Sequence, residues 1–353
     1  MAIIDADAHV LETVHTWDYM GESDQRYRPT HVVEDAPNGG RAFWIIDGKV
    51  HAARQGGGAS GLAPARHGDK VELPDDSALM LDVDARVRHM DELGTDVQIL
   101  YPTLFISPYT DRPEVELALT RSYNRWLTDI WHQGKGRLRW AAVLPLLSMD
   151  KAIEEARIVK EQGACAIMLR GVEVGNRLLS DPYFFPLYDE LSRLDLPVCV
   201  HTGNGSPEIM RLYDGESGFS RFKLVGVGAF HNLLYTGIPD RFPSLRFGFI
   251  ELSSQWLPYA IHDLTRRLVR SGRPVSDHLL KDNHVWVACQ TDDDLPEVVR
   301  YVGEDNLVIG TDYGHADSAT EIYALQTIKK HSPVGPGVIE KILDDNARAL
   351  YGL

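Results

Sequence analysis

The chain has 353 residues, 44% of them hydrophobic and 25% charged, with a formal net charge of −15. That composition suits a soluble globular protein with a large core, and its acidity excludes the basic footprint that nucleic-acid binding requires. Asp5 and Asp7 stand where a signal sequence needs basic and then apolar residues, and no apolar run reaches the length of a membrane span, so a cytoplasmic protein is expected.

In chain order, Ala2-Ile3-Ile4-Asp5 predicts a short buried strand that runs directly into Asp7-Ala8-His9. Residues 10–83 then break the pattern. Within them, Phe43 to Val50 predicts a hairpin turning at Asp47-Gly48, and Gln55 to Gly61 is glycine-rich. The stretch reads as a lid or small subdomain inserted after the first strand. Helices are predicted over 84–93, ended by Gly94, and over 114–131, where Leu117, Leu119, Tyr123, Trp126 and Leu127 recur at helical spacing. Another is predicted from a cap at Asp150 to Gly163, with more at 185–194, 256–269, 295–302 and 338–343.

Between these helices lie apolar runs: Val97 to Tyr101, Trp140 to Leu144, Cys165 to Leu169, Val198 to Val200, Phe247 to Ile250, Val285 to Ala288 and Leu307 to Ile309. They are continuous rather than alternating, as strands buried on both faces are. Strand–helix alternation repeated this often predicts an α/β fold, a (β/α)8 TIM barrel with an insertion after strand one, forming a single unit over 1–353. The competing doubly wound sheet would carry a glycine-rich phosphate loop after its first strand, and Asp5-Ala6-Asp7-Ala8-His9 is not one. A second insertion, 203–222, is expected to form part of the pocket wall.

Three cysteines, Cys165, Cys199 and Cys289, each fall in an apolar run without ligand spacing, which predicts buried reduced thiols. The chemistry is expected elsewhere. A barrel places its reactive groups at the C-terminal ends of its strands. Here three apolar runs end in Asp7 and His9, in His201, and in Asp312. Asp7 and His9 are one residue apart, so an extended backbone turns both side chains the same way. Asp7, His9, His201 and Asp312 offer oxygen and imidazole donors, a set for one divalent ion, zinc or manganese, without the thiolates of a structural zinc site. Glu251 ends the sixth run and Arg170 the fourth. A guanidinium there suits a substrate carboxylate, or a salt bridge to Glu173. His231 lies on a helical pattern before the sixth run and is a further candidate imidazole. His315 and Asp317 follow Asp312 closely and are expected to orient the donor shell from behind.

Several segments together carry a family resemblance: Asp7-Ala8-His9, Arg121-Ser122-Tyr123-Asn124, Leu144-Pro145, Asp181-Pro182-Tyr183-Phe184, Pro197 to His201, Gly310-Thr311-Asp312-Tyr313-Gly314-His315, and the tail Asn346 to Leu353. Over nearly its whole length the chain resembles the amidohydrolase-related (amidohydrolase 2) family of metal-dependent decarboxylases and hydrolases, typified by aminocarboxymuconate-semialdehyde decarboxylase. The resemblance implies non-oxidative decarboxylation of an aromatic or unsaturated carboxylic acid, with Asp312 transferring the proton. It also implies a homodimer, for which Trp131, Trp256 and Tyr259 are candidate contacts, although each could instead pack on the barrel. The chain departs from the family at Glu251, where many relatives carry a histidine. Metal-assisted hydrolysis of an amide, ester or lactone uses the same residues and is the second expectation. A barrel that only binds a ligand is the third.

Overall fold

The computed structural model describes residues 1–34, 41–52, 62–64, 70–316 and 318–353. Eight parallel strands form one sheet in sequential order. They are β1 (Ile4–His9), β2 (Val97–Tyr101), β3 (Leu138–Ala142), β4 (Ala166–Arg170), β5 (Val198–His201), β6 (Phe247–Ile250), β7 (Val285–Cys289) and β8 (Leu307–Ile309). The chain just past β8 closes the ring: Ala8 bridges Tyr313, and His9 N–H donates to the Tyr313 carbonyl at 2.7 Å. The result is the (β/α)8 barrel that the alternation of runs predicts. Each of the eight apolar runs became a barrel strand, because every one is buried inside and out.

The helices of the outer ring include α1 (Val83–Leu93), α2 (Pro113–Gln133), α3 (Met149–Glu161), α4 (Phe185–Leu194), α5 (Leu224–Thr236), α6 (Leu257–Arg270) and α7 (Leu295–Val302). Local chemistry sets their ends. Asp82 accepts from the N–H of Asp84 at the start of α1, and Gly94 takes a left-handed conformation at its end. One cap differs from expectation. Helix α3 starts at Met149 with Ser148 in the cap position, and Asp150 falls inside the first turn. The last predicted helix, 338–343, belongs to a longer run of Pro336–Glu340, Lys341–Asp345 and Asn346–Tyr351.

The insertion after β1 holds a three-stranded antiparallel sheet of Thr30–Glu34, Arg41–Ile46 and Lys49–Ala52. Its hairpin turns at Asp47 and Gly48, both at positive φ, as a two-residue turn of this hand requires. Trp44 and Ile46 bury their side chains in the main core, and Trp44 meets Trp17, another residue of the insertion, edge-on at 5.9 Å. The glycine-rich stretch 55–61 lies outside the described residues. Trp131 and Trp256 pack on the main core, whereas Tyr259 is 78% exposed. All three cysteines are buried free thiols.

Candidate metal centre

Three strand ends bring the expected donors near one another, with Asp7, His9 and His201 in one group and Asp312 beside His9 in a second. Asp7 and His9 come from β1, His201 from β5, and Asp312 from the turn after β8, and none is more than 3% exposed. Their approach depends on Gly310, since a Cβ there would lie 2.2 Å from Cβ of Asp7. The Asp7 carbonyl accepts from the N–H groups of Thr311 and Asp312, which locks the two carboxylate-bearing segments together.

Hydrogen bonds fix what each imidazole presents. Nδ1 of His9 lies 3.0 Å from the Pro102 carbonyl, and Nδ1 of His201 lies 3.0 Å from the Thr202 carbonyl. A carbonyl only accepts, so both Nδ1 atoms carry a proton, and a neutral ring at His9 turns a lone pair at Nε2 inward. Burial, with His315 and His201 nearby, holds His9 well below the ordinary histidine range, hence neutral. Its Nε2 has no hydrogen-bond partner and faces Asp7 Oδ1 at 3.5 Å and Asp312 Oδ1 at 3.3 Å. Nε2 of His201, by contrast, is hydrogen-bonded to Asp7 Oδ1 at 3.3 Å. Acceptors converging on acceptors in a water-poor interior are costly unless a cation lies among them. The donor set therefore fits a divalent ion.

The structure brings two more residues, Glu251 and His315, up to that set. Two groups of side chains have their ligand atoms within 4.8 Å of one another: Asp7, His9, His201 and Glu251, and then His9, Glu251, Asp312 and His315. Glu251 belongs to both. It follows β6 at a positive φ of 61°, and Asp312 sits at 52°, a conformation uncommon outside glycine and asparagine. The Thr202 hydroxyl holds the Glu251 carbonyl at 2.9 Å, and Glu251 Oε2 lies 3.6 Å from His201 Nδ1.

Asp312 is held from two further sides. Nδ1 of His315 is 2.8 Å from Oδ1, and the Thr320 hydroxyl donates to Oδ2 at 2.6 Å. Nε2 of His315 meets the Thr103 hydroxyl at 2.9 Å. That hydroxyl gives its only proton to the Val10 carbonyl, so it accepts from His315. Glu12 in turn accepts from the N–H groups of Thr103 and Leu104, and burial pushes its carboxyl up to about 7. Sequence reasoning missed Thr103, Thr320 and Glu12. Thr103 follows a strand end and Glu12 lies just past β1, but no spacing rule marks either as a partner of Asp312.

Two expected participants sit elsewhere. Arg170 ends β4 as foreseen, but its guanidinium grips Glu173 and donates to the Ser107 carbonyl, the salt-bridge alternative its sequence position allowed. Its charge is thereby matched inside the wall. His231 lies on α5 and pairs across the outer ring with Asp263 of α6 at 3.1 Å. It belongs to neither donor group, because that helix lies outside the barrel. Asp317 lies outside the described residues.

The Amidohydrolase family profile matches residues 4–353. The chain belongs to this family. Among relatives, 2-amino-3-carboxymuconate-6-semialdehyde decarboxylase of Dictyostelium discoideum is 24% identical over 288 residues, 77% of each chain. Gamma-resorcylate decarboxylase of Rhizobium sp. (strain MTP-10005) is 26% identical over 302 residues, 78% of this chain and 88% of the relative. Among solved structures, an amidohydrolase from Mycobacterium avium subsp. paratuberculosis K-10 superposes with a TM-score of 0.82 at 21% identity, covering 100% of this chain and 98% of that one. The chain is therefore an amidohydrolase-family barrel enzyme with a cluster of donors that could hold a metal ion.

Proposed function

We propose that this amidohydrolase is a metal-dependent, non-oxidative decarboxylase of an aromatic or unsaturated carboxylic acid. The observation that carries the reading is the bracing of Asp312. Its 2.8 Å contact with His315 is a hydrogen bond only when one proton lies between them, because the other ring nitrogen of His315 already donates to Thr103. A carboxyl group so held keeps a proton beside the donor cluster. Two relatives named above are decarboxylases, which supports the same reaction class.

Asp7, His9, His201, Glu251 and Asp312 would hold one divalent ion, zinc or manganese; carboxylate and imidazole donors suit both. When bound, the ion supplies positive charge that orients the substrate's carboxylate and a neighbouring hydroxyl. The residues do the rest. Asp312 delivers its proton to the ring carbon that bears the carboxylate, and His315 and Thr320 keep its oxygens aimed. The carbon–carbon bond then breaks, its electron pair restores the unsaturated system, and CO2 leaves. The balance needs no redox partner.

Hydrolysis of an amide, ester or lactone is the second reading, and Glu251 is the observation that favours it. A carboxylate at the end of β6 can place a water and take its proton. Product analysis separates the two: CO2 release from hydroxybenzoates, against acid release from esters and amides. The Asp312→Asn variant, with its metal content measured, is expected to lose roughly 100-fold or more in turnover. Normal turnover by a metal-loaded Asp312→Asn enzyme would remove the proton-transfer role.

The same proposal treats residues 10–83 as a lid or subdomain over the mouth and the small-molecule acid as the partner. The buried unpaired cysteines suit a cytoplasmic setting. No helix among the described residues is long and apolar enough to cross a membrane. A homodimer is supported by the exposed apolar side chains Leu224 and Tyr235 of α5, with Tyr259 exposed on the adjacent α6. Light scattering on the purified protein tests it; a monomeric mass would end that part of the reading.

A further inference from the structure

The loop after β6 that carries Glu251 is unusual twice over. Glu251 and Ser253 both occupy positive φ, at 61° and 62°. A backbone folded this way persists only where its surroundings over-determine it. The surroundings here converge on one buried carboxylate from the next loop of the barrel, Asp293, which is 8% exposed. The Ser253 hydroxyl donates to its Oδ1 at 2.5 Å. The Ser254 N–H and hydroxyl donate to its Oδ2 at 2.8 and 2.7 Å, and the Gln290 N–H donates to the same oxygen at 2.8 Å. Ser253 Oγ also accepts from the Gln255 N–H, so the turn is closed on itself as well as on Asp293.

With these donors engaged, Asp293 has little capacity left to meet a substrate. What it touches does face the reaction space: Ser253 and Gln290 line one small cavity together with Asp7, Glu251, Asp312, Ala288, Cys289 and Ala319. We propose that Asp293 is a positioning residue that fixes Glu251 in its metal-facing pose by tying the loop after β6 to the loop after β7. The inference rests on the reading that Glu251 joins the donor set. Partners of this kind affect metal affinity by about 10–100-fold when removed.

The test titrates metal-free protein with cobalt(II) alone and reads the visible d–d absorption and the dissociation constant, beside a thermal melt of each apo-protein. Glu251→Gln and Asp293→Asn are expected to move the absorption band in the same direction and to weaken cobalt binding roughly 10-fold each. The double variant is expected to match Glu251→Gln alone, since both changes remove one contribution. Should Asp293→Asn fail to fold, Ser253→Ala removes a single bond to Asp293 and is expected to give a smaller shift of the same sign. A variant at Asp293 or Ser253 that melts lower yet keeps the wild-type band and affinity would overturn the proposal, showing a merely structural staple. Additive losses in the double variant would overturn it too. Wild-type protein that takes up no cobalt would bring down the metal reading itself, and this inference with it, before any substitution is compared.

Discussion

Two polar clusters lie within one short strand of each other, both sealed from water, and they obey opposite rules. Asp7 and His9 belong to the upper one, where the unpartnered Nε2 of His9 faces carboxylate oxygens of Asp7 and Asp312. Asp5 belongs to the lower one, where every step runs from donor to acceptor. Asp5 accepts from the Thr311 N–H at 2.9 Å, the Thr311 hydroxyl at 2.6 Å and the Gln98 amide at 3.0 Å. Gln98 accepts from Arg86 Nε at 2.7 Å, and Arg86 also donates to the carbonyls of Ser77 and His9. The guanidinium stacks 3.5 Å over the Tyr313 ring, whose hydroxyl bonds Ser77 and His89. The lower network is complete without any ligand and fastens the insertion to β1 and β8. The upper cluster is not, and a cation would complete it. Burial alone does not separate structural from functional polar groups; what separates them is whether the local donors and acceptors balance.

The contrast predicts opposite responses to substitution. The largest effect is expected in the lower network. Arg86→Leu leaves acceptors of Gln98, Ser77 and His9 buried without a donor and should cost about 3–5 kcal/mol in urea unfolding of the apo-protein. A loss under ~1 kcal/mol would show that the network contributes little to stability. In the upper cluster, Asp7→Asn should reduce zinc or manganese affinity by roughly 100-fold, read by mass spectrometric metal content after dialysis. It should leave the apo-protein as stable as wild type or more so, because an amide N–H replaces an acceptor facing the unpartnered Nε2 of His9. An apo-protein that unfolds on this change would erase the distinction.

A smaller effect is expected at Tyr313→Phe, which removes a hydroxyl shared by Ser77 and His89. We expect about 1–2 kcal/mol less stability and unchanged metal content. The smallest concerns Glu116, a buried acid outside both clusters that accepts from the Leu147 N–H at 2.6 Å. Burial raises its pKa to about 8 from 4.5. A raised pKa contributes stability that is complete below about 4.5 and is lost as the pH climbs through about 8. Melting temperature should therefore fall between pH 5 and pH 9, and fall less in Glu116→Gln. Equal slopes in the two proteins would assign the pH dependence elsewhere.

Much of the upper cluster was legible in the sequence because its residues sit at strand ends, and strand ends can be read from apolar runs that stop at a charged residue. Asp7, His9, His201 and Asp312 were placed that way. Arg170 was located correctly, but its engagement depends on how the chain turns back three residues later to bring Glu173 against it. His231 shares a helical pattern with many surface histidines, and its partner Asp263 comes from a different helix. Asp293 and Thr103 carry no local signature, since a carboxylate or hydroxyl in a loop looks the same whether it holds a neighbouring loop or only water.

The barrel, its insertion and four of the clustered donors could be read from the chain, because periodicity and strand-end chemistry are local properties of it. The tertiary structure alone decided that Glu251 shares the donor cluster, that His315 and Thr320 brace Asp312, and that Asp293 ties two loops together. Those are contacts between strands or loops brought together only when the ring closes, and hydrogen-bond direction can be read only after both partners have a position.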